Sequence, residues 1–235
     1  MPEDLDDERD VVAGAQFRYT FDRKAGTLTS MKVRGTELLN GGPQLDVWRA
    51  PVSNENWGEA NDWRAVGLDR LRSTVDSVNV AESRDLVVVT VGSTAAAPGV
   101  TDASFKQSLT YTITPNGDVR LGHRVDPQGR MRTLPHLPRG GLSLGVKPQL
   151  ERFAWYGRGP HENYTDRKDG APVDIYRSTV DGQFVEYYSP QDYGNHDDVR
   201  WATLSDGRAA CSSPGISRSV SPRTKMPTAP PIRSR

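Results

Sequence analysis

The chain has 235 residues, of which 35% are hydrophobic and 8% aromatic, and its 30 Lys and Arg are balanced by 30 Asp and Glu. That length suits one large all-β domain or two small ones, and a net charge of zero gives no reason to expect nucleic acid or an anionic membrane as partner. No apolar run approaches membrane-span length, the opening "MPEDLDDERD" shows no secretory signal, and the lone Cys211 excludes a disulfide framework within the chain and favours a cytoplasmic setting.

Residues 1–13 are expected to form an acidic lead-in or linker. Phe17, Tyr19 and Phe21 then alternate with polar residues, the period of a half-buried strand. "DRKAG" is a turn, and a second strand is predicted from Thr27 to Val33. The "NDWRAVGLDRLRSTV" stretch suggests a short helical piece. "LVVVTV", Leu86 to Val91, reads as a buried strand. The clearest hairpin is "SLTYTITPNGDVRLGHRV": Leu109, Tyr111 and Ile113 alternate before Asn116-Gly117, a strong tight-turn pair, and Val119, Leu121, His123 and Val125 alternate after it. "FVEYY" and "WATL" are further strand candidates. Many short strands with Gly and Pro punctuation predict an all-β protein built as an antiparallel β-sandwich. From residue 208 the composition changes. "CSSPGISRSVSPRTKMPTAPPIRSR" is rich in Ser, Pro and Arg, has no acid and no period, and is predicted to be a disordered tail.

Two polar clusters invite a chemical reading. In "WYGRGPHENYTDRKDG", Glu162 and Asp166 could be imagined as the carboxylate pair of a glycosidase, which must face each other across a sugar roughly 5–10 Å apart. Two acids four residues apart in a Gly- and Pro-rich loop need an unusual turn to do so. The stronger expectation is architectural: Glu162, Asn163, Asp166 and Arg167 bond the loop backbone and each other, while Trp155, Tyr156 and Tyr164 pin the loop to the core. His161 with Glu162 and Asp166, or His196 with Asp197 and Asp198, lacks the spacing of a helix-borne zinc motif, so no metal site is assigned.

The second cluster, "VWRAPVSNENWGEANDW", mixes three tryptophans with amides and acids. Aromatic faces accept sugar C–H surfaces, and amides and carboxylates accept hydroxyls. Trp48 and Trp63 are expected to be core anchors. Asn54, Glu55, Trp57 and Glu59 are the candidate substrate contacts.

In order, "WRAPVSNENWG", "WYGRGPHENYTDRK" and "PQDYGNHDDVRW", with "FDRKAGTL" and "LPRGG" in place, resemble the C-terminal domain of bacterial β-galactosidases of glycoside hydrolase family 2, a domain that in some members is a separate small subunit. The resemblance runs from about Gly14 to Gly207. It implies a large antiparallel sandwich of the galactose mutarotase-like type. It also implies that the two catalytic glutamates and the Mg and Na ions of the complete enzyme lie in a (β/α)8 barrel absent here, so no catalytic residue is assigned to this chain. Trp48, Arg49, Trp155, Arg158, His161, Glu162, Asn163, Tyr164, Asp166 and Arg167 become structural or interface residues. The implied partners are the barrel or large subunit, a β-galactoside such as lactose, and further copies in an oligomer. The family's Arg-Ala-Pro-x-Asp-Asn-Asp appears here as Arg49-Ala50-Pro51-Val52-Ser53-Asn54-Glu55, which replaces two acids. The family's later strands give way to the Ser/Pro/Arg tail, as in a truncated or frame-shifted product. Two other classes stay open. One is a stand-alone sugar-binding module. The other is a mutarotase-like epimerase using His161 and Glu162, weakened because adjacent strand residues point to opposite faces.

Overall fold

A computed structural model describes residues 8–188, 191–208 and 210–214. Its described residues form antiparallel sheets with one short α-helix, the sandwich that the alternation predicts. The first sheet runs β1 (Arg9–Ala13), β2 (Phe17–Asp22), β3 (Thr27–Val33) and β4 (Thr36–Glu37). Beside β3 lies β5 (Leu39–Asp46), where the Thr27 hydroxyl donates to the Pro43 carbonyl at 3.3 Å. The second layer is a long meander of β6 (Arg72–Glu82), β7 (Val87–Ala96), β8 (Ala103–Ile113) and β9 (Val119–Gly129). Then β10 (Gly141–Val146) returns to pair with β5. The last sheet has β11 (Arg152–Arg158) between β12 (Val173–Thr179) and β13 (Trp201–Ser205), with β14 (Ala210–Pro214) outside β13.

Period 2 places the core. Phe17, Tyr19 and Phe21 all point inward from β2, and Val89, Val91, Leu109, Tyr111 and Ile113 meet them from β7 and β8. Phe21 and Tyr111 touch edge to face across the two layers, with centroids 4.9 Å apart. Each such aromatic contributes about 1.5–3 kcal/mol by leaving water. The predicted hairpin registers as Leu109↔His123, Tyr111↔Leu121 and Ile113↔Val119. A second apolar cluster plugs the other end of the meander. There the helix α1 (Glu59–Ala65) buries Ala60 and Trp63 against Ala95, Ala103, Phe105 and Met131. The Trp63 indole N–H is not left orphaned, since it donates to the His136 carbonyl at 3.2 Å. Trp48 packs only partly buried on the rim of this cluster, under the Arg64 guanidinium.

Four expectations need correction. Residues 9–13 are not lead-in: β1 pairs with β2 through the whole of Arg9–Ala13, and Val12 enters the core. The helical piece is shorter and earlier than predicted. It stops at Ala65, passes through a 3-10 turn at Leu68–Arg70, and "RSTV" belongs to β6. "FVEYY" forms no strand, because Phe184 closes a 3-10 turn (Asp181–Gln183) and the chain beyond it is pulled toward the loop of Glu162. The sandwich also does not end at Gly207. Residues 210–214 pair with β13, Leu204 opposite Cys211 and Trp201 opposite Pro214. The rest of the predicted tail, 215–235, and residues 1–7 of the predicted lead-in lie outside the described residues. Among the described residues no helix is long and apolar enough to cross a membrane.

Candidate functional site

β11 delivers the "WYGRGPHENY" segment to the surface. Trp155 is its root: only 1% exposed, it stacks on Phe153 at 4.7 Å and meets the tilted ring of His196 at 4.2 Å, and its indole donates to the Arg158 carbonyl. The glycines permit close approach. A Cβ on Gly157 would stand 2.9 Å from the Val199 backbone, and one on Gly159 would stand 2.7 Å from the Tyr176 ring. Arg158 then fans out, giving its guanidinium to Asp198 at 2.6 Å and to the carbonyls of Lys168 and Ala171. With no ladder of its own, the loop is tied down by side chains.

Asn163 is the centre of that tie. It is fully buried, and every polar group it owns is used. Its Oδ1 accepts from the Asp197 N–H at 2.7 Å, and its Nδ2 donates to the His161 carbonyl at 3.1 Å. Its N–H donates to the Asn195 carbonyl at 2.8 Å, and its own carbonyl accepts from Asn195 Nδ2 at 2.7 Å. The "HENY" and "GNHDD" loops therefore interlock through a reciprocal Asn pair.

Glu162 is saturated in the same way. Arg167 (2.7 Å) and the Tyr187 hydroxyl donate to Oε1, while the Gly194 N–H (2.8 Å) and the Tyr164 hydroxyl (3.4 Å) donate to Oε2. Burial pushes this carboxyl up, but the donors of Tyr187, Gly194 and Arg167 outweigh it and hold the group below the usual carboxylate range. Such a carboxylate is neither a free base nor a proton donor at neutral pH. Tyr164 lies under the Arg167 guanidinium at 4.6 Å, and its phenol is pushed up to about 12 by burial and by the charges of Glu162 and Asp192. His161 and Asp166 are both exposed and take no part in the clamp of Glu162. The pairing of His161 with Glu162 that an epimerase needs thus finds its carboxylate already committed to four donors. Among the described residues, no three His, Cys, Asp or Glu side chains gather as a metal site.

The other motif is built around Arg49. Its guanidinium forks onto Glu55 at 2.7 and 2.5 Å, and its Nε donates to the Pro138 carbonyl at 2.9 Å. The Val52 N–H also donates to Glu55. Burial raises the Glu55 carboxyl, but Arg49 and Val52 outweigh it and the net shift is downward. Glu55 thus closes the loop from inside. The short 3-10 turn Glu55–Trp57 stands on this clamp and lifts Trp57 into solvent, 91% exposed. Asn54 is exposed and Glu59 is half-buried at the start of α1.

The two motifs meet. Asp192 and Tyr164 both lie within electrostatic reach of Arg49. Arg139, from "LPRGG", bridges Asp46 at the end of β5 to Asp192 at 2.7 Å. Arg139, Asp46, Asp192, Tyr187 and Asn195 were not singled out from the sequence. Their signal was present in "LPRGG" and "PQDYGNHDD", which the sequence offers only as landmarks.

The family model for the β-galactosidase small chain matches residues 13–228, which runs past the Gly207 boundary of the resemblance. Among similar proteins, the β-galactosidase of Priestia megaterium is 31% identical over 212 residues, covering 86% of this chain and 19% of its own length. That of Kluyveromyces lactis is 29% identical, covering 82% and 19%, and that of Streptococcus thermophilus is 28% identical, covering 83% and 18%. The chain spans about a fifth of the length of these relatives. Since the family match covers most of its residues, the chain belongs to the β-galactosidase small chain family.

Proposed function

We propose that this chain is the non-catalytic small-chain part of a cytoplasmic β-galactosidase, completing the substrate site and the oligomer of a barrel-bearing partner that hydrolyses terminal β-galactosides such as lactose. The observation that carries this reading is the saturation of Glu162. The best carboxylate in the densest polar cluster accepts four hydrogen bonds from its own chain, so it serves as a structural acceptor. The coverage of only a fifth of each relative supports the same reading, because it leaves room for the catalytic glutamates elsewhere. The Mg and Na ions implied by the resemblance would sit with that larger part. Within this chain, Arg49 and Glu55 would hold a firm turn that presents Asn54, Trp57 and Glu59 toward the mouth of the partner's site. An exposed indole on a clamped turn offers a flat face to a sugar ring at small entropic cost.

The test is a chromogenic β-galactoside assay. The purified chain alone is expected to show no turnover. Added to the Priestia megaterium enzyme lacking the fifth of its length that this chain matches, it is expected to restore hydrolysis, and Trp57→Ala is expected to raise KM more than it lowers kcat. Turnover by the chain alone that disappears in Glu162→Gln would overturn the proposal.

A further inference from the structure

A groove of about 600 Å³ opens beside the Glu162 clamp, lined by Val180, Asp181, Gln183, Phe184, Tyr193 and Gly194. It lies outside the two polar clusters of the sequence, although Tyr193 and Gly194 belong to "PQDYGNHDDVRW". Its walls are fixed. The Phe184 N–H donates to the Asp181 carbonyl, the Asp181 N–H to the Glu151 carboxylate, and the Gly194 N–H to Glu162. Gln183 is anchored to His196 at 2.6 Å. Two aromatic rings nevertheless stay open to solvent. Phe184 is 62% and Tyr193 48% exposed, and they meet edge to face with centroids 5.3 Å apart. Two exposed rings in contact on the wall of one groove form a small apolar surface of the kind that ligand sites use.

The polar groups around these rings narrow the ligand chemistry. Among the described residues, the Asp181 carboxylate and the Tyr193 hydroxyl have no hydrogen-bond partner, and Gln183 uses only its Oε1. The lining therefore offers a carboxylate acceptor, an amide donor and a hydroxyl around an apolar aromatic floor. Among the described residues of the lining, Asp181 is the only charged one, which disfavours phosphate, sulfate or an acidic peptide. A neutral polyhydroxylated ring matches this set: its C–H face covers the aromatics and its hydroxyls satisfy the carboxylate, amide and phenol. We infer that the Phe184–Tyr193 groove is a saccharide-binding site of this chain, separate from the turn that carries Trp57. The choice of galactosides as first probes rests on the function proposed above, whereas the groove itself does not.

The experiment titrates the purified full chain with lactose, methyl β-galactoside, cellobiose and maltose, followed by saturation-transfer NMR and by chemical shifts of the groove amides. Saturable binding of at least one sugar is expected, with shifts at Asp181, Gln183 and Gly194. Phe184→Ala and Tyr193→Ala are each expected to weaken it by roughly tenfold, as loss of an aromatic anchor does. Tyr193→Phe and Asp181→Asn keep the shape and should weaken it less. Val80→Ala, at an exposed apolar residue of β6, should leave it unchanged. No saturable binding of any of the four sugars would overturn the inference, as would binding that survives Phe184→Ala and Tyr193→Ala but is lost in Trp57→Ala. Binding of cellobiose or maltose without the galactosides keeps the site and removes its link to galactoside chemistry. Complementation of the truncated relative is read separately, so either claim can fail alone.

Discussion

The two halves of this molecule are held together by different physics. Residues 9–150 form an apolar sandwich: Phe17, Phe21, Tyr111 and Phe105 are packed by shape, and strand alternation, with Trp63 from the helix, sets what is inside. In residues 151–208 one sheet carries long loops whose interior is polar. There the buried residue at the centre is an asparagine, and the contacts that matter are hydrogen bonds of defined direction. An apolar core tolerates substitutions of similar volume, whereas a buried polar network penalises any change that leaves one partner unmatched. Rigid presentation of side chains at a surface suits the second kind of construction, and that is where the Glu162 clamp and the groove beside it lie.

The largest effects should come from breaking each half at its centre. Trp63→Ala is expected to cost about 3–5 kcal/mol by opening a cavity and orphaning the His136 carbonyl. Asn163→Ala removes almost no apolar area, yet it leaves the part-buried Asp197 N–H without its acceptor, at about 1–3 kcal/mol for each group left unpaired. Asn163→Asp sharpens the contrast, since it keeps the volume and the acceptor but loses the donor to His161. Urea melts of the three variants decide this. If Asn163→Ala melted like the wild type, the polar network would be ornament.

Acid separates the halves by linkage. Burial lowers the pKa of both His123 in the sandwich and His196 in the loop region. For each, the unfolded state binds the proton first, near pH 6.5. The stability they carry is present above that value and is lost as pH falls through the depressed folded pKa. His196→Gln should therefore make the melting temperature less sensitive to acidification below about pH 6.5. A second loss is expected below about pH 4.3, where Glu162 and Glu55, also depressed, are protonated against their donors. Hydrogen exchange across this range should show residues 158–198 losing protection before 87–113. The reverse order would contradict the division drawn between the halves. The smallest effect is reserved for Trp57→Ala: a residue so exposed should change stability by no more than about 0.5 kcal/mol. Trp48→Ala should fall between Trp57→Ala and Trp63→Ala, in keeping with its place on the cluster rim.

The same division governs what could be read in advance. β2, β3, β8 and β9 were legible because burial on one face writes itself into the sequence as alternation. The first four residues of β6, "RSTV", read as the end of a helix because β6 is an edge strand, and nearly all of "RSTVDSVNVAE" is exposed, so no face stands out. β1 hid behind the acidic residues that precede it. β14 hid in a Ser- and Pro-rich stretch whose strand character comes from its pairing with β13. The "HENY" loop could be recognised as dense and polar, but its partners lie far away in sequence. Asn195 stands 32 residues beyond Asn163, and Tyr187 is 25 residues beyond Glu162. Directional bonds between distant loops leave no periodic trace. Glu55 is the instructive middle case. It looked like a sugar contact because it sits among Asn and Trp, and it proves to be the lock on Arg49.

The reciprocal bonds between Asn163 and Asn195 also order events in time. They join two loops that come into register only after β11 and β13 have paired, so loop-closure entropy must be met before they return anything. They belong to the last stage of folding, and their loss should accelerate unfolding while leaving the folding rate nearly untouched. The surface that carries Glu162, Asp192 and Tyr193 is thus expected to assemble late, on a sandwich already formed, so a newly made chain should present it only once its interior is complete.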